Sequence, residues 1–485
     1  MRKKRIAIVL ALILTLSLTA CGSGSESGST EQKKDTSQNI LSADDIKTTK
    51  TIKDSSDGGH AITADGKEKS YSKVKVTKTG DSGSEDADFY GDNSAIFATN
   101  GGTLDLDNMV IDTDGSHANA VFSYGEGTAV NIKDSVIKTS GDCSGGLMTT
   151  GGGTMNAKNL TISTSGRSSA AIRSDRGGGT VNVIGGSYTT SGVGSPVIYS
   201  TADITVSDAL MKSKTSQGVV VEGKNSIKLD NVDLSVNNTT VNGDQTDTHQ
   251  AVMIYQSMSG DAASGTAKFS MKDSTLTNKT GDVFFVNNTV TKITLKNSKI
   301  TNKDKDGVFL RAEAAGWGTS GSNGGHVTLK AKNQTINGDM IVDKVSTLNL
   351  ILSEGTSFKG TINESGQEGD VYVKLSDGSK WTLTDDAYIT SLTCDADSID
   401  LNGHTLYVNG KKYKEGTASK GSKVKVPEST TQGGGNMPSG NGTPPEPPKG
   451  GGTPPNGNGS QNGGTPPASP DGNKPPESGG QPGQK

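Results

Sequence analysis

The chain of 485 residues carries 48 lysine and arginine residues against 52 aspartate and glutamate residues, which gives a formal net charge of −4. Without an excess of basic residues it offers no basic stripe to displace counterions from phosphates, so a nucleic-acid partner is not expected. Its three cysteines form no CxxC pair or Cys/His cluster in the sequence, which leaves a thiol zinc site without support.

Residues 1–20 have the features of a bacterial export signal. A basic stretch at residues 2–5 precedes an apolar stretch at residues 6–18, which is too short to span a bilayer comfortably, and the tetrapeptide LTAC ends at Cys21. This tetrapeptide resembles the lipobox of bacterial lipoproteins. The resemblance implies cleavage before Cys21 and attachment of a diacylglycerol to it. The alternative is an ordinary secretory signal with an incidental cysteine.

A lipidated Cys21 implies a protein anchored at the extracellular face of the cell membrane, with residues 21–50 as a lipidated N-terminus and flexible linker. Loss of the four basic residues of the signal leaves 44 basic against 52 acidic residues, a net charge of −8 that favours solubility outside the cell. The other cysteines, Cys143 and Cys394, lie far apart in the sequence and are expected to be free, mostly inert thiols.

Residues 51–94 are predicted to form an N-terminal cap or first turn with an acidic insertion, GDSGSEDADFYGD, at residues 80–92. Because hard carboxylate oxygens suit Ca²⁺, the insertion gives a candidate calcium site. Its candidate ligands are Asp81, Glu85, Asp86 and Asp88. The insertion lacks the spacing of an EF-hand, and a solvated acidic loop is the alternative. No other cofactor is expected.

Residues 95–415 are built from a short repeat that recurs at a nearly constant spacing. Three markers keep this period: Thr113, Thr139, Thr164 and Thr190; Thr103, Thr128, Thr154 and Thr180; and Ile96, Val121, Leu147, Ile172 and Val197. Within each unit, short segments of alternating apolar and polar residues are divided by Gly, Asn, Asp and Ser, which is the pattern of strands and turns. No helical period is seen in this part.

Short strands in turns of this length predict an all-β fold, a single right-handed parallel β-helix of about 11 rungs with three short strands per rung. Asn or Asp recurs at one tight bend, where it tolerates a left-handed backbone. Later units, from Val219, Val252 and Val308, carry insertions, which in such folds commonly lie on one functional face. The segment from Ser398 is predicted to be a last turn with a capping strand whose lysines guard the edge.

The repeats at about residues 60–415 resemble the right-handed β-helix, or pectin-lyase-like, superfamily. Together with the lipobox they resemble bacterial surface lipoproteins of an adhesin-like or carbohydrate-binding type. The resemblance implies the architecture more strongly than a function, because this scaffold carries lyases, hydrolases, epimerases and non-catalytic adhesins.

A candidate ligand-binding strip follows the outward positions of the first strand of each unit. It consists of Phe97, Phe122, Tyr124, Arg173, Asp175 and Arg176. Aromatic faces stack on sugar rings and an arginine fork binds carboxylates, so the strip suits an extended polymer such as an acidic polysaccharide. Alternatively, residues 81–92 or long loops cover the aromatic rings, and the charged residues form a local ion-pair cluster.

The sequence places no set of carboxylates on neighbouring turns such as lyases and hydrolases of this superfamily require, so the protein is not expected to be an enzyme. Trp317, in a glycine-rich loop at residues 316–325, is a further candidate for ligand contact, with packing against the core as its alternative. Residues 427–485 hold 14 of the 15 prolines and almost no apolar side chains, and are predicted to be a disordered tail.

These observations favour a lipid-anchored, non-catalytic surface protein that binds an extracellular polysaccharide or a host surface. The first alternative is a polysaccharide lyase or glycoside hydrolase that acts on an acidic polysaccharide. The second alternative is a structural spacer without a specific ligand.

Overall fold

A computed structural model describes residues 40–84, 86–240, 246 and 248–428. The predicted signal peptide, Cys21, Glu85 and nearly all of the predicted tail lie outside the described residues. By contact clustering the chain divides after residue 442, and all the residues that the structure describes belong to the first unit.

The described part of the chain is all-β, with 39 strands in four sheets. An 11-stranded sheet contains β2 (Ile62–Asp65), β5 (Ile96–Thr99), β8 (Val121–Tyr124), β10 (Leu147–Thr150), β12 (Ile172–Ser174), β14 (Ile198–Ser200), β17 (Val219–Glu222), β20 (Gln250–Tyr255), β23 (Asp282–Asn287), β26 (Leu310–Ala312) and β29 (Met340–Val342).

A 21-stranded sheet contains β1 (Lys50–Asp54), β3 (Glu68–Ser72), β4 (Val74–Lys78), β6 (Thr103–Asp107), β7 (Val110–Thr113), β9 (Ala129–Thr139), β11 (Gly153–Thr164), β13 (Gly179–Thr190), β15 (Asp203–Ser207), β16 (Leu210–Ser213), β18 (Ser226–Asp230), β19 (Asp233–Val236), β21 (Thr266–Lys272), β22 (Thr275–Asn278), β24 (Thr289–Lys296), β25 (Lys299–Asn302), β27 (Gly325–Lys332), β30 (Thr347–Ser353), β32 (Asp370–Leu375), β35 (Ser391–Cys394) and β39 (Ser419–Lys420).

Two small sheets lie near the C-terminal end of the described residues. One contains β28 (Thr335–Asn337), β31 (Ser357–Lys359), β33 (Lys380–Thr382) and β36 (Ile399–Asp400), and the other contains β34 (Ala387–Ile389), β37 (Leu406–Val408) and β38 (Lys411–Lys412). The helices among the described residues are a 3₁₀ turn at Ala43–Asp45 and α1 at Asp86–Tyr90.

The sheets are long and parallel, as the repeat predicts. Each strand of the 11-stranded sheet pairs in parallel with the strand one repeat later. The marker residues that begin at Ile96 are neighbours, through the pairs Ile96–Val121, Val121–Leu147 and Leu147–Ile172. These four side chains have no exposed surface and belong to one continuous hydrophobic core that also takes side chains from the 21-stranded sheet. This arrangement is compatible with a β-helix.

The register of the next strand differs from the prediction by one residue. Ile172 pairs with Ile198 rather than with Val197, so Arg173 pairs with Tyr199. Because a shift of one residue exchanges the two faces of a strand, the longer step to Ile198 brings a tyrosine to the outer position beside Arg173.

The predicted Asn/Asp bend is confirmed. Left-handed φ angles between 47° and 55° occur at Asn108, Asp134, Asn159, Asp208, Asn231, Asp273 and Asn297. Side-chain amides link successive bends, for example Asn159 Nδ2 to Asp134 Oδ1 at 2.7 Å. One left-handed residue turns the chain in β9 and in β11, and two glycines with positive φ, Gly185 and Gly186, do so in β13. Pairing continues on both sides of these bends, so β9, β11 and β13 are single strands of 11 or 12 residues where two short strands were predicted.

The C-terminal edge has the only antiparallel pairings between the described strands, β35 with β39 and β37 with β38. Lys411 and Lys412 form β38, and both side chains are exposed. Exposed lysines on an edge strand oppose pairing with another chain, which agrees with the predicted capping strand.

Candidate functional site

The three aromatic residues of the predicted strip are buried. Phe122 has no exposed surface, while Phe97 and Tyr124 retain 7% and 5%, and together with Met148 they form a hydrophobic cluster separate from the main core. Their backbone positions are those predicted, on the outer face of the 11-stranded sheet. The expectation of an exposed strip is therefore corrected at these rings, because another part of the chain covers them.

The cover is α1 and the residues that follow it. The Tyr90 ring packs edge-on against the Tyr124 ring, with centroids 5.7 Å apart, and the Phe97 and Phe122 side chains pack so closely against Gly91 that a β-carbon there would clash. Thr150 Oγ1 donates a hydrogen bond of 2.7 Å to the carbonyl oxygen of Phe89. The sequence left this covering open as an alternative but did not predict a helix.

Arg173 is the centre of an ion-pair cluster beside the covered rings. Its Nε and Nη2 atoms lie 2.9 Å and 2.7 Å from Asp175 Oδ2, and Nη2 lies 3.5 Å from Asp88 Oδ2 on α1. Burial raises the pKa of Asp175 to about 7, although the Arg173 charge opposes the shift. Burial also disfavours the charged form of Asp88, but Arg173 and His117 outweigh it and hold the pKa of Asp88 below its ordinary value.

Arg176 joins α1 to a loop far along the chain. Its Nε donates a hydrogen bond of 2.6 Å to Asp261 Oδ1 in the insertion after β20, and its guanidinium lies 3.7 Å from the centre of the Phe89 ring. The predicted grouping of Arg173, Asp175 and Arg176 is therefore an ion-pair cluster whose partners, Asp88 and Asp261, come from distant segments.

A second group of polar side chains lies on the other side of Asp88. Asp88 Oδ1 is 3.3 Å from Nδ1 of His117, and ligand atoms of Asp88, His117 and Cys143 all lie within 4.8 Å of one another. Burial raises the pKa of the Cys143 thiol to about 11. The cysteine predicted to be inert is thus next to a histidine and a carboxylate, because residues one repeat apart in the sequence are neighbours in space.

Arg173 also lines an open cavity of about 220 Å³. Its walls carry three aromatic rings, from Tyr199, Tyr255 and Trp317, with the Tyr255 and Trp317 centroids 5.7 Å apart. The lining also includes three residues with side-chain amides, Gln217, Asn238 and Gln250. Asn238 lies in the insertion after β19 and Trp317 in the one after β26, so two of the predicted insertions meet here.

A buried carboxylate supports this aromatic wall. Glu222 accepts hydrogen bonds from the hydroxyl groups of Tyr199, at 2.5 Å, of Tyr255, at 3.1 Å, and of Ser257. Burial raises the pKa of Glu222, and the three hydrogen bonds offset the shift only in part. These bonds fix the two tyrosine hydroxyls. Tyr255 is 7% exposed and forms a hydrophobic cluster with Val220, Met253 and Phe285, and Tyr199 and Trp317 pack against this cluster at the edge of the cavity.

The predicted calcium ligands are not brought together. Asp88 is buried in the cluster around Arg173, whereas Asp86 is exposed on α1 and Asp81 Oδ1 accepts a hydrogen bond from the backbone of Ser116. Glu85 lies outside the described residues. Among the described side chains that could hold a metal, Asp88 groups with His117 and Cys143 instead.

The sequence identified Arg173, Asp175 and Trp317 but not Tyr199, Tyr255, Glu222, His117 or Cys143 as parts of this region. Tyr199 was hidden by the one-residue register difference. A signal for His117 and Cys143 exists in the sequence, because the spacing between them equals one repeat.

In the part of the chain that the structure describes, no helix has the length and apolar character needed to cross a membrane. No protein-family model, no curated protein and no solved structure matches the chain.

Proposed function

We propose that the protein is a lipid-anchored bacterial surface protein whose body is a right-handed parallel β-helix of about 11 rungs with three short strands per rung. The parallel sheets and the 11 strands that follow the sequence repeat support this architecture. The LTAC tetrapeptide at Cys21 supports the lipid anchor on the extracellular face of the cell membrane. The resemblance to the pectin-lyase-like superfamily and to adhesin-like lipoproteins belongs to this proposal.

The proposed function is non-catalytic binding of an extracellular polysaccharide. The observation that carries it is the cavity, where the rings of Trp317, Tyr199 and Tyr255 stand beside the amides of Gln217 and Gln250. Aromatic faces pack on the apolar faces of sugar rings, and amides both donate and accept hydrogen bonds to sugar hydroxyls. Concave, mostly apolar sites with a few convergent polar groups are typical of ligand pockets.

The charges around the cavity favour an uncharged sugar over the acidic polysaccharide suggested by the sequence. The Arg173 guanidinium already pairs with Asp175 and lies near Asp88, so it is not a free fork for a ligand carboxylate. Glu222 lies below the aromatic wall. Among the described residues that line the cavity, this compensated arginine is the only basic side chain, so a ligand carboxylate would find no free cation there.

A glycan array and affinity electrophoresis in neutral and acidic polysaccharides test this proposal. We expect retention by neutral glycans and about a ten-fold loss of affinity in Trp317→Ala, because one of the three aromatic rings of the cavity is removed. Tyr388→Ala is the matched control. Tyr388 stacks on Tyr407 in the three-stranded sheet, with ring centroids 4.6 Å apart, and does not line the cavity.

The same preparation is assayed for new reducing ends and for unsaturated uronates. Cleaved glycan would replace the binding function with that of a hydrolase or lyase. Absence of retention on every glycan would favour a structural spacer. Retention that is equal in Trp317→Ala and in the parent protein would remove the cavity from the proposal.

A further inference from the structure

We propose that Asp88, His117 and Cys143 form a binding site for one thiophilic divalent cation, with Zn²⁺ as the preferred ion. The oxygen, nitrogen and sulfur atoms of these residues lie within 4.8 Å of one another, and Asp88 is buried while the other two are half-buried. Small side-chain movements bring such a trio to the bond lengths of about 2.0 to 2.3 Å that zinc requires.

Two of the three donors are placed by the repeat itself. The amide of His117 donates to the carbonyl oxygen of Asp142 and the amide of Cys143 to that of Arg167, so His117 and Cys143 occupy the same corner in successive turns. Both have left-handed backbones, with φ of 54° and 53°. The same corner one and two turns later holds Ser168 and Gly194, which offer no comparable ligand atom.

The third donor comes from α1. Asp88 precedes His117 in the sequence, and it reaches the corner because α1 folds over the outer face of the 11-stranded sheet. The carboxylate is oriented on both sides: Oδ1 faces His117 Nδ1 at 3.3 Å, and Oδ2 faces Arg173 Nη2 at 3.5 Å. Arg173 is itself held by Asp175 at 2.7 Å. Ligating carboxylates in metal sites are commonly held in this way by an outer hydrogen-bonding group.

The donor set selects the class of cation. Ca²⁺ and Mg²⁺ require several oxygen ligands, whereas one carboxylate, one imidazole and one thiolate suit Zn²⁺ and its neighbours in the first transition row. On binding, the thiol proton of Cys143 passes to solvent as the sulfur–metal bond forms. The cation would occupy the space between the three ligand atoms. The Arg173 charge opposes the cation, but Asp175 compensates it.

The site would fasten α1 to the body of the protein. One ligand belongs to α1 and two belong to successive turns of the repeat. A bound cation would therefore join α1, which covers Phe97, Phe122 and Tyr124, to the turns beneath it. The predicted calcium site and this site share Asp88 but differ in every other ligand, and they require different cations.

Titration of the full chain with Co²⁺, as a spectroscopic substitute for Zn²⁺, tests the proposal. A Cys21→Ser background leaves Cys143 and Cys394 as the cysteines present. We expect one Co²⁺ per chain, a thiolate-to-cobalt charge-transfer band, and displacement of the band by Zn²⁺ but not by Mg²⁺ or Ca²⁺. Asp88→Asn should weaken binding at least about ten-fold, whereas Asp86→Asn, an exposed residue of the same helix, should leave it unchanged.

Cys143→Ser should abolish the band and Cys394→Ser should retain it. Alkylation mapped by peptide mass spectrometry gives the same answer without a substitution, because Zn²⁺ should protect Cys143 and not Cys394. Absence of a thiolate band in the parent chain, a band that persists in Cys143→Ser, or protection confined to Cys394 would each overturn the proposal.

Discussion

Truncation of Phe122 to alanine distinguishes a covered aromatic cluster from an exposed strip. The Phe122 ring has no exposed surface and lies between the Phe97 ring, with centroids 6.0 Å apart, and the chain at Gly91. Loss of a buried phenylalanine ring removes about 2 to 3 kcal/mol of transfer free energy, and the cavity that remains raises the total to about 3 to 5 kcal/mol. We expect the lower end, about 3 kcal/mol, because the five-residue α1 can settle into part of the space.

The measurement combines urea denaturation with native-state hydrogen exchange. Stacked repeats can open in parts, so a global midpoint alone would underestimate a local loss. The loss should be largest at the amides of β5, β8 and β10, and proteolytic cleavage near α1 should become faster. Phe89→Ala is the matched control: its half-buried ring contacts the Arg176 guanidinium, and removal should cost about 1 kcal/mol.

A loss below about 1 kcal/mol in Phe122→Ala, or one no larger than in Phe89→Ala, would refute the covered cluster. Loss of glycan retention in Phe122→Ala without any change in stability would restore the exposed strip that the sequence suggested. The stability measurement and the glycan-retention measurement use the same protein preparation.

Three further predictions test other parts of the structure. Burial raises the folded-state pKa of Glu222, so the protonated carboxyl group contributes stability at low pH that is lost as the pH rises through that pKa. In urea midpoints measured across a pH series, Glu222→Gln should therefore reduce this fall in stability. Asn159→Ala removes the side-chain hydrogen bond to Asp134 and puts a β-carbon on a left-handed backbone, so the free energy of unfolding should fall by about 2 kcal/mol. Asn159→Gly removes only the hydrogen bond and should cost about half as much. Equal losses would show that the left-handed backbone contributes nothing. Gly186→Ala, whose new β-carbon would lie 2.2 Å from a carbonyl oxygen of β11, should unfold at clearly lower urea than Gly101→Ala, which has open space at a similar backbone angle.

The sequence predicted the parallel sheets because the repeat leaves the same residue type at the same place in every turn. The stacking of residues from Ile96 to Ile172 and the bend at Asn159 could be predicted from the constant period alone. A drift of one residue between Ile172 and Ile198 was not visible, since Val197 and Ile198 are both apolar and either could face the core. That ambiguity displaced Tyr199 from the predicted site.

The covering of the aromatic residues could not be read from the repeat. Residues 86–90 lie in an acidic segment with no apolar period, and the short helix that they form packs Tyr90 against the cluster of Phe122 and Tyr124. Contacts such as those of Arg173 with Asp88 and of Arg176 with Asp261 join residues 85 positions apart, where no period relates them. Segments that interrupt the repeat therefore determine what its outer face exposes.

Arg173 stands where these segments meet. Its guanidinium approaches Asp88, which belongs to the proposed cation site, and the arginine also lines the cavity together with Tyr199 and Trp317. Because the same guanidinium approaches Asp88 and lines the cavity, we predict that binding of the cation and binding of the sugar are coupled. If the two sites are coupled through this residue, each ligand must change the affinity of the other by the same factor. The coupling should vanish in Arg173→Met, which keeps a long side chain but cannot pair with Asp88.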